Sequence, residues 1–422
     1  MPKTHVNEAQ STNFVGMFRD MLAWLDPRHA GNPLRLLLFF VPVALWLRFS
    51  HGPPLMQFAF ALLGLIPLAA VMGEATEHLA ERTGPAVGGL MNATFGNAVE
   101  LIIALALLFK GKDTVVKASI TGSVLGNLLL VLGAALLAGG WKFRAQTFNR
   151  TAAGASSTMM ILAAMGMLLP AIFHSLPEVV NLEDRNQLNV ERELSLGVSV
   201  ALMAAYLLSL LFSLRTHKSL FTPGVEAGAD LSANSQAEED HADVWSVRRS
   251  LTVLLGMTVI VSLLGEILAE TVSESGHYLG LTELFLGVIV VAIVGNAAEH
   301  SSAVMVALKN KTDLAVGIAL GSAVQVALFV TPVLVFASYL RDEPMDLLFT
   351  TLEIVAVLLA AFAARMVTED GESNWLEGAM LLIVYGLLAI TFYFHPSIAE
   401  HGEAVPRAGE PPAQAAPLQP GH

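Results

Sequence analysis

The chain has 422 residues, of which 54% are hydrophobic and only 14% are charged, and its formal net charge is −13. Soluble proteins carry about 25% charged residues, and nucleic-acid binding requires positive charge against the phosphates. An ordinary soluble enzyme and a nucleic-acid-binding protein are therefore excluded. The sequence contains no cysteine, which excludes disulfides, zinc–thiolate sites and iron–sulfur clusters. The class that remains is a polytopic membrane protein.

Apolar stretches recur along the chain, and each is long enough to cross a membrane as a helix, which requires roughly 20 residues. They are continuous and rich in Leu and Ala rather than alternating, so a β-barrel is disfavoured. We predict an all-α polytopic membrane protein with about 11 transmembrane helices. The approximate bounds of the stretches are 34–50, 54–73, 88–109, 116–139, 152–173, 194–214, 250–271, 283–308, 314–339, 346–366 and 376–394.

Polar segments separate and flank these stretches. Residues 1–33 precede the first helix, residues 215–249 connect the sixth helix to the seventh, and residues 396–422 form a Pro/Ala-rich tail that we expect to be disordered. Lys and Arg are enriched in the segments that lie inside when the N-terminus is cytoplasmic, so we predict that orientation. The connection is then cytoplasmic, and its part Val225–Asp243 carries acidic but no basic residues. It is either a solvated linker or a segment that gathers cations near an entrance.

An internal repeat appears when the sequence is shifted by 199 residues, so that Gly96–Ser123 aligns with Gly295–Ser322 and nine of 28 positions are identical. The repeat lies on spans three and four and again on spans eight and nine. The offset is five spans, an odd number, so the second copy enters the membrane upside down. We therefore predict two inverted five-helix halves, 54–214 and 250–395, and an extra first helix, 34–50. Inverted repeats are typical of secondary transporters, whose site lies near the midplane between the halves.

The repeated motif Gly-Asn-Ala-x-Glu places ionisable groups at membrane depth. Glu100 and Glu299 are predicted near the middle of their spans, where a carboxylate is costly and usually marks an ion pathway. Asn97 and Asn296 precede them by three residues, which puts each Asn–Glu pair on one helix face. This all-oxygen set suits a hard cation such as Ca²⁺. Two carboxylates hold either one divalent cation or two protons, and such competition is the simplest antiport mechanism.

Other polar residues surround this motif, and their roles are open at this point. His300 is a candidate proton carrier, ligand or orienting partner of Glu299. Further residues serve either as ligands and pathway groups or only as interhelical hydrogen-bonding and interfacial groups. They are Thr94, Ser123, Asn127, Ser322 and Gln325 near the motif, and Glu74, Glu77, Glu266 and Glu270 toward the ends of spans two and seven.

Four segments together resemble a known family: NATFGNAVELI (Asn92–Ile102), VGNAAEH (Val294–His300), KNKTDLA (Lys309–Ala315) and GSAVQVALFVTP (Gly321–Pro332). They are similar to the cation/proton exchangers, or calcium/proton antiporters, of the calcium/cation antiporter superfamily, and the resemblance runs over roughly residues 55–395. It implies eleven spans with an extra first helix and an acidic cytoplasmic connection.

The same resemblance implies roles for individual residues. Glu100 and Glu299 would bind the cation and exchange it for protons, Asn97 and Asn296 would help to coordinate it, and His300 would lie at the exchange site. Sodium-coupled relatives tend to carry Ser/Thr-rich motifs beside their Glu residues, where this sequence has Gly-Asn-Ala. That difference favours protons as the coupling ion.

The expected function is export of cytoplasmic Ca²⁺ in exchange for H⁺ across a prokaryotic plasma (inner) membrane. We expect no enzymatic activity and no cofactor besides the transported ions; the expected partners are Ca²⁺, protons and the lipid bilayer, with no nucleic acid, and the sequence leaves the oligomeric state open. The nearest alternative is the same fold with another cation pair: Na⁺/Ca²⁺, Mn²⁺/H⁺, or K⁺/Na⁺ with H⁺. A divalent-cation channel is a further alternative. An intramembrane metalloprotease is disfavoured because the sequence has no HExxH motif.

Overall fold

The structure is a computed structural model, and it describes residues 33–83, 91, 95–180, 184–217, 220 and 245–395. Most of the predicted N-terminal segment, the acidic part Val225–Asp243 of the connection and the predicted tail lie outside these ranges. So does the candidate site residue Thr94.

The described chain is almost entirely helical. A 3₁₀ turn at Pro33–Phe39 leads into the first helix, and a four-residue helix, Pro177–Val180, follows the fifth. The main helices are α1 Phe40–Phe49, α2 Pro54–Thr83, α3 Ala98–Phe109, α4 Asp113–Lys142, α5 Arg150–His174, α6 Asp184–Leu211 with its extension Phe212–Thr216, α7 Val247–Leu279, α8 in two parts, Glu283–Gly295 and Ala297–Ala307, α9 Thr312–Ser338, α10 Thr351–Val367 and α11 Trp375–Phe394.

These helices follow the order of the predicted apolar stretches, and the all-α fold class is confirmed. Within the described ranges, seven helices are long and apolar enough to cross a membrane, and the two parts of α8 together make an eighth candidate. The helices α1, α3 and α10 are shorter than 18 residues. The number of eleven crossings therefore stays a prediction.

The two central helices have the same local irregularity. A π segment interrupts α4 at Gly126–Val131 and α9 at Val326–Val330, positions that nearly coincide under the 199-residue shift. The turns before these helices also match, since Gly111 and Asn310 both adopt a left-handed backbone, with φ of 70° and 59°. The internal repeat is thus a repeat of backbone structure as well as of sequence. Isolated π segments occur often at functional sites.

The core is centred on α4 and α9, which are the most buried of the long helices. The extra helix α1 packs on α2, and α2 packs along α7. The helices α2 and α7 are antiparallel. His78 near the end of α2 stacks on Trp245, just before the beginning of α7, with ring centroids 4.9 Å apart. Large apolar side chains face outward on α6 and α11, which suits contact with lipid.

Small residues allow the closest helix contacts around α4. An added Cβ at Gly122 would lie 2.1 Å from the carbonyl oxygen of Val288 on α8, and one at Gly378 on α11 would lie 2.3 Å from the backbone nitrogen of Leu137. A two-residue antiparallel pair, Gln146–Thr147 (β1) with Glu372–Ser373 (β2), joins the α4–α5 and α10–α11 connections. Glycine thus lets α8 and α11 approach α4 at backbone distance.

Candidate functional site

The repeated motif lies at helix starts and not inside straight helices, which corrects the prediction of continuous spans. The two parts of α8 meet at Asn296 with a bend of 57°, and α3 begins directly after Asn97. Glu100 and Glu299 therefore each lie in the first turn of a helix. The positive end of the helix dipole favours a carboxylate there. The hydropathy pattern did not predict this break, because an apolar segment has the same composition whether its helix is straight or bent.

The glycine of the second motif has a packing role. An added Cβ at Gly295 would lie 3.2 Å from Cγ of Glu100. The side chain of Glu100, from the first half, therefore packs directly against the helix break of the second half. Glu299 follows the same break by three residues, and Ser322 joins it to Asn97, the residue before α3, through contacts of 2.6 Å and 2.9 Å. The two predicted carboxylates thus both lie beside the break in α8.

A hydrogen-bond network joins the two halves around Asn296. The Asn296 side-chain amide donates to Oγ of Ser123 at 3.0 Å and to the Ala292 carbonyl at 2.9 Å. The Asn127 amide donates to Oδ1 of Asn296 at 3.0 Å and to Oγ of Ser322 at 2.9 Å. Every member except the Ala292 carbonyl was a predicted site residue. That carbonyl also accepts the backbone N–H of Asn296 at 3.1 Å, so the side chain and the backbone of Asn296 share one helical acceptor.

A matching set of contacts surrounds Asn97. Its amide donates to Oε1 of Gln325 at 2.5 Å. The hydroxyl of Ser322 lies 2.9 Å from Oδ1 of Asn97 and 2.6 Å from Oε2 of Glu299. A hydroxyl carries one proton and donates to one of these acceptors at a time. The shorter contact, to the carboxylate, is the stronger hydrogen bond when Glu299 is ionised.

The pairing is crossed between the repeats. Asn97 and Asn296 are equivalent under the 199-residue shift, and so are Ser123 and Ser322. Each Asn contacts the Ser of the opposite half, at 2.9 Å and 3.0 Å. These four side chains are at most 5% exposed. The two halves therefore meet through equivalent residues of both repeats.

Several polar atoms at this junction have no hydrogen-bond partner among the described residues. They are Oε1 of Glu100, Oδ1 of Asn127 and Nε2 of His300. The Nε2 atom points toward α4, where it lies 3.9 Å from the position of a Cβ added to Gly126. Unpaired buried polar groups are rare and call for a reason, such as a role in binding an ion.

The burial of the site is unequal. Glu100 is 7% exposed, whereas Glu299, His300 and Gln325 are half-buried. Among the residues that the structure describes, no three His, Asp, Glu or Cys side chains group together as a metal cluster. A cation here would take amide and hydroxyl oxygens besides the two carboxylates, a ligand type that hard cations accept.

The predicted pathway carboxylates lie outside this network. Glu74 is half-buried and Glu77 is exposed on α2, and neither has a hydrogen bond or ion pair with another described residue. Glu266 on α7 instead pairs with Arg48 at 3.2 Å and with Lys110 at 3.4 Å. The structure therefore brings together the predicted motif residues and places these three Glu residues apart from them.

A four-charge cluster, Arg48, Lys110, Glu266 and Glu270, ties α7 to α1 and to the turn after α3. Glu270 lies 2.8 Å from Lys110 and 3.3 Å from Arg48. The hydrogen bond to Glu270 raises the pKa of Lys110 above its ordinary value. These ion pairs hold the end of α7 that is remote from His78 and Trp245.

Comparison with known proteins identifies the family. The model of the family described as sodium/calcium exchanger protein matches residues 54–215 and 249–394. The chain is 42% identical over 369 residues to a Ca²⁺/H⁺ antiporter of Aphanothece halophytica, covering 87% of this chain and 97% of that protein. It is also 42% identical over 354 residues to the Ca²⁺/H⁺ antiporter ChaA of Bacillus subtilis, covering 84% and 96%.

A solved structure gives the same result. The chain superimposes on native YfkE, described as a Ca²⁺/H⁺ antiporter protein, with a TM-score of 0.71 and 37% identity, over 86% of this chain and 100% of that one. The predicted resemblance to calcium/cation antiporters is confirmed, and the apolar helices belong to an integral membrane protein. The chain is therefore a member of the sodium/calcium exchanger protein family.

Proposed function

We propose that the chain is a secondary active transporter that exchanges cytoplasmic Ca²⁺ for H⁺ by alternating access, with cation and protons competing for one site at Glu100 and Glu299. The observation that carries the proposal is the crossed pairing of Asn97 with Ser322 and of Asn296 with Ser123 around these carboxylates. Midplane sites between inverted repeats are typical of secondary transporters. The relatives named as Ca²⁺/H⁺ antiporters support the choice of ions.

The ligands for Ca²⁺ in this proposal are oxygens from both halves. Ca²⁺ takes 6–8 oxygens in flexible geometry. Glu100 and Glu299 supply carboxylates, and Asn97 and Asn296 supply amide oxygens. Ser322 holds Glu299 through its hydroxyl at 2.6 Å, so it orients a ligand as outer partners of metal sites do.

Protons compete for the same groups because charge is expensive at this site. Both carboxylates lie at the junction of the halves, and burying an uncompensated ionised carboxylate costs a large free energy. A divalent cation compensates both charges at once, and two protons remove them. Loading one species therefore releases the other. His300, adjacent to Glu299 with an unpaired Nε2, is positioned to pass a proton.

The two ends of α7 are held by different contacts. Arg48 and Lys110 pair with Glu266 at one end, and His78 stacks on Trp245 at the other. Under the predicted orientation, the second end is cytoplasmic. Alternating access in this proposal breaks and forms the contacts of the two ends in turn.

The experiment is ⁴⁵Ca²⁺ uptake into proteoliposomes under an imposed pH gradient, with and without a protonophore. We expect uptake by the wild-type protein to collapse when the protonophore removes the gradient. Glu100→Gln and Glu299→Gln should each abolish exchange while the protein still inserts. Glu372→Gln, a change of an exposed carboxylate on β2, is the matched control and should exchange at the wild-type rate.

Other outcomes decide between the alternatives. Exchange at the wild-type rate by either Gln variant refutes the shared site. Uptake that follows an imposed Na⁺ gradient and ignores the pH gradient overturns the coupling ion. Ca²⁺ flux that persists without any counter-ion gradient indicates a channel. Mn²⁺ in place of ⁴⁵Ca²⁺ tests the Mn²⁺/H⁺ alternative in the same vesicles.

A further inference from the structure

A cavity of about 650 Å³ opens between the beginning of α5 and the end of α10. Its volume is within the usual range for small-ligand sites. None of its lining residues belongs to the network around Glu100 and Glu299. The lining includes Arg150, Thr151, Gly154, Thr158, Arg365 and Glu369.

The cavity has positive charges that the protein itself does not neutralise. Neither Arg150 nor Arg365 forms an ion pair with a carboxylate of the described residues. Among the described residues, the guanidinium of Arg365 makes a single hydrogen bond, a long one from Nη1 to the Gly154 carbonyl at 3.4 Å. Glu369 offsets one charge, so the lining keeps a net positive charge. Each guanidinium has five donors in a planar fork that matches phosphate.

Gly154 gives the Arg365 side chain its room. An added Cβ at Gly154 would lie 3.0 Å from Nη1 of Arg365, which is tighter than ordinary contact. The hydroxyl of Thr158 donates to the same Gly154 carbonyl at 2.8 Å, and its oxygen keeps lone pairs for a further donor. The cavity lining is thus polar, with hydrogen-bond donors from both α5 and α10.

The surface beyond the cavity is apolar. One turn past Thr158 on α5, Leu162 is 45% exposed, and on α10 Phe362 and Met366 beside Arg365 are 61% and 60% exposed. A ligand in this place therefore meets cationic donors at the helix ends and hydrocarbon along the helices. Basic pockets between transmembrane helices at the membrane surface bind anionic lipid headgroups.

We propose that this cavity binds the phosphate headgroup of an anionic phospholipid, whose acyl chains lie on the outward faces of α5 and α10. Arg150 and Arg365 form the charge-assisted hydrogen bonds to the phosphate. A zwitterionic lipid adds a positive choline group next to two guanidinium groups, so it binds more weakly. With the N-terminus inside, the start of α5 faces the cytoplasmic leaflet, where anionic lipids carry negative surface potential.

The test is native mass spectrometry of the delipidated full-length protein with phosphatidylglycerol or phosphatidylcholine of matched chain length. We expect the wild-type protein to retain phosphatidylglycerol at least ten-fold more tightly. The double variant Arg150→Gln/Arg365→Gln should lose that preference. Arg144→Gln, which changes an exposed cation in the same connection outside the cavity, should keep it.

The single variant Arg150→Gln controls for a folding defect, because Arg150 is exposed and its side chain makes no hydrogen bond or ion pair with another described residue. It should weaken phosphatidylglycerol binding several-fold and leave the elution profile unchanged. Unchanged binding by Arg150→Gln and by the double variant overturns the proposal, and so does equal retention of the two lipids. Inorganic phosphate that displaces phosphatidylglycerol at similar concentration also overturns it, in favour of a free-anion site.

Discussion

Gly122 and Gly321 are equivalent positions of the two repeats, yet an added methyl group meets different surroundings. At Gly122 on α4, the new Cβ would lie 2.1 Å from the carbonyl oxygen of Val288 and 2.7 Å from Cβ of Ala292. At Gly321 on α9, no atom of the described residues comes within 4 Å. We predict that Gly122→Ala is strongly destabilising and that Gly321→Ala is tolerated.

The magnitude follows from these distances. Non-bonded carbon atoms settle at about 3.5–4.0 Å, so α4 and α8 would have to separate by more than about 1 Å. The nearest atom at Gly122 belongs to the backbone and cannot rotate away. Overpacking costs about 1–3 kcal/mol, and we take the upper value, about 3 kcal/mol. Alanine in a helix interior recovers about 1 kcal/mol relative to glycine, leaving a net loss of about 2 kcal/mol.

By the same reasoning, Gly321→Ala should leave the free energy of unfolding unchanged or raise it by up to about 1 kcal/mol. Transport should follow stability, because Val288 and Ala292 lead directly into the break at Asn296, and the Ala292 carbonyl accepts from the Asn296 side chain at 2.9 Å. Moving α8 therefore moves the site.

The assay is reversible unfolding in mixed detergent micelles, with SDS as denaturant and circular dichroism as the signal, alongside ⁴⁵Ca²⁺ exchange. We expect a lower unfolding midpoint and slower exchange for Gly122→Ala only. Equal unfolding midpoints for the two variants would refute the reasoning, because they would mean that the α4–α8 contact is not as close as described.

Three further predictions concern other side chains. Ser322→Ala should weaken Ca²⁺ affinity about ten-fold, since hydrogen bonds to charged groups contribute about 1.5–3 kcal/mol and the 2.6 Å contact with Glu299 is lost; unchanged affinity in equilibrium ⁴⁵Ca²⁺ binding would exclude this role. Lys110→Ala should lower the free energy of unfolding by about 0.2–1 kcal/mol at low salt and negligibly at 1 M salt; a salt-independent loss would count against its ion pairs with Glu266 and Glu270. His300→Ala should shift the pH dependence of exchange more than the affinity for Ca²⁺, and an identical pH–rate profile would contradict proton transfer by this residue.

The class of protein and most residues of the candidate site could be predicted from the amino-acid sequence. Apolar runs of helical length and a low charged fraction leave an all-α membrane protein, because unpaired backbone groups are excluded from lipid. The 199-residue repeat identified Asn97 and Asn296, and likewise Ser123 and Ser322, as equivalent residues, and the structure brings each Asn into contact with the Ser of the other half. A repeated sequence forms a repeated local structure, so the equivalence of these residues could be predicted from the sequence.

Features that depend on contacts between distant parts of the chain became visible only in the folded structure. The break at Asn296 was not readable, since hydropathy does not distinguish a straight apolar helix from a bent one. Glu266 was an open candidate for the pathway, but Arg48, 218 positions earlier, forms an ion pair with it. Gly122 and Gly321 are identical in sequence and differ only in what packs against them. Periodicity describes one helix at a time, whereas packing depends on which helix lies next to it.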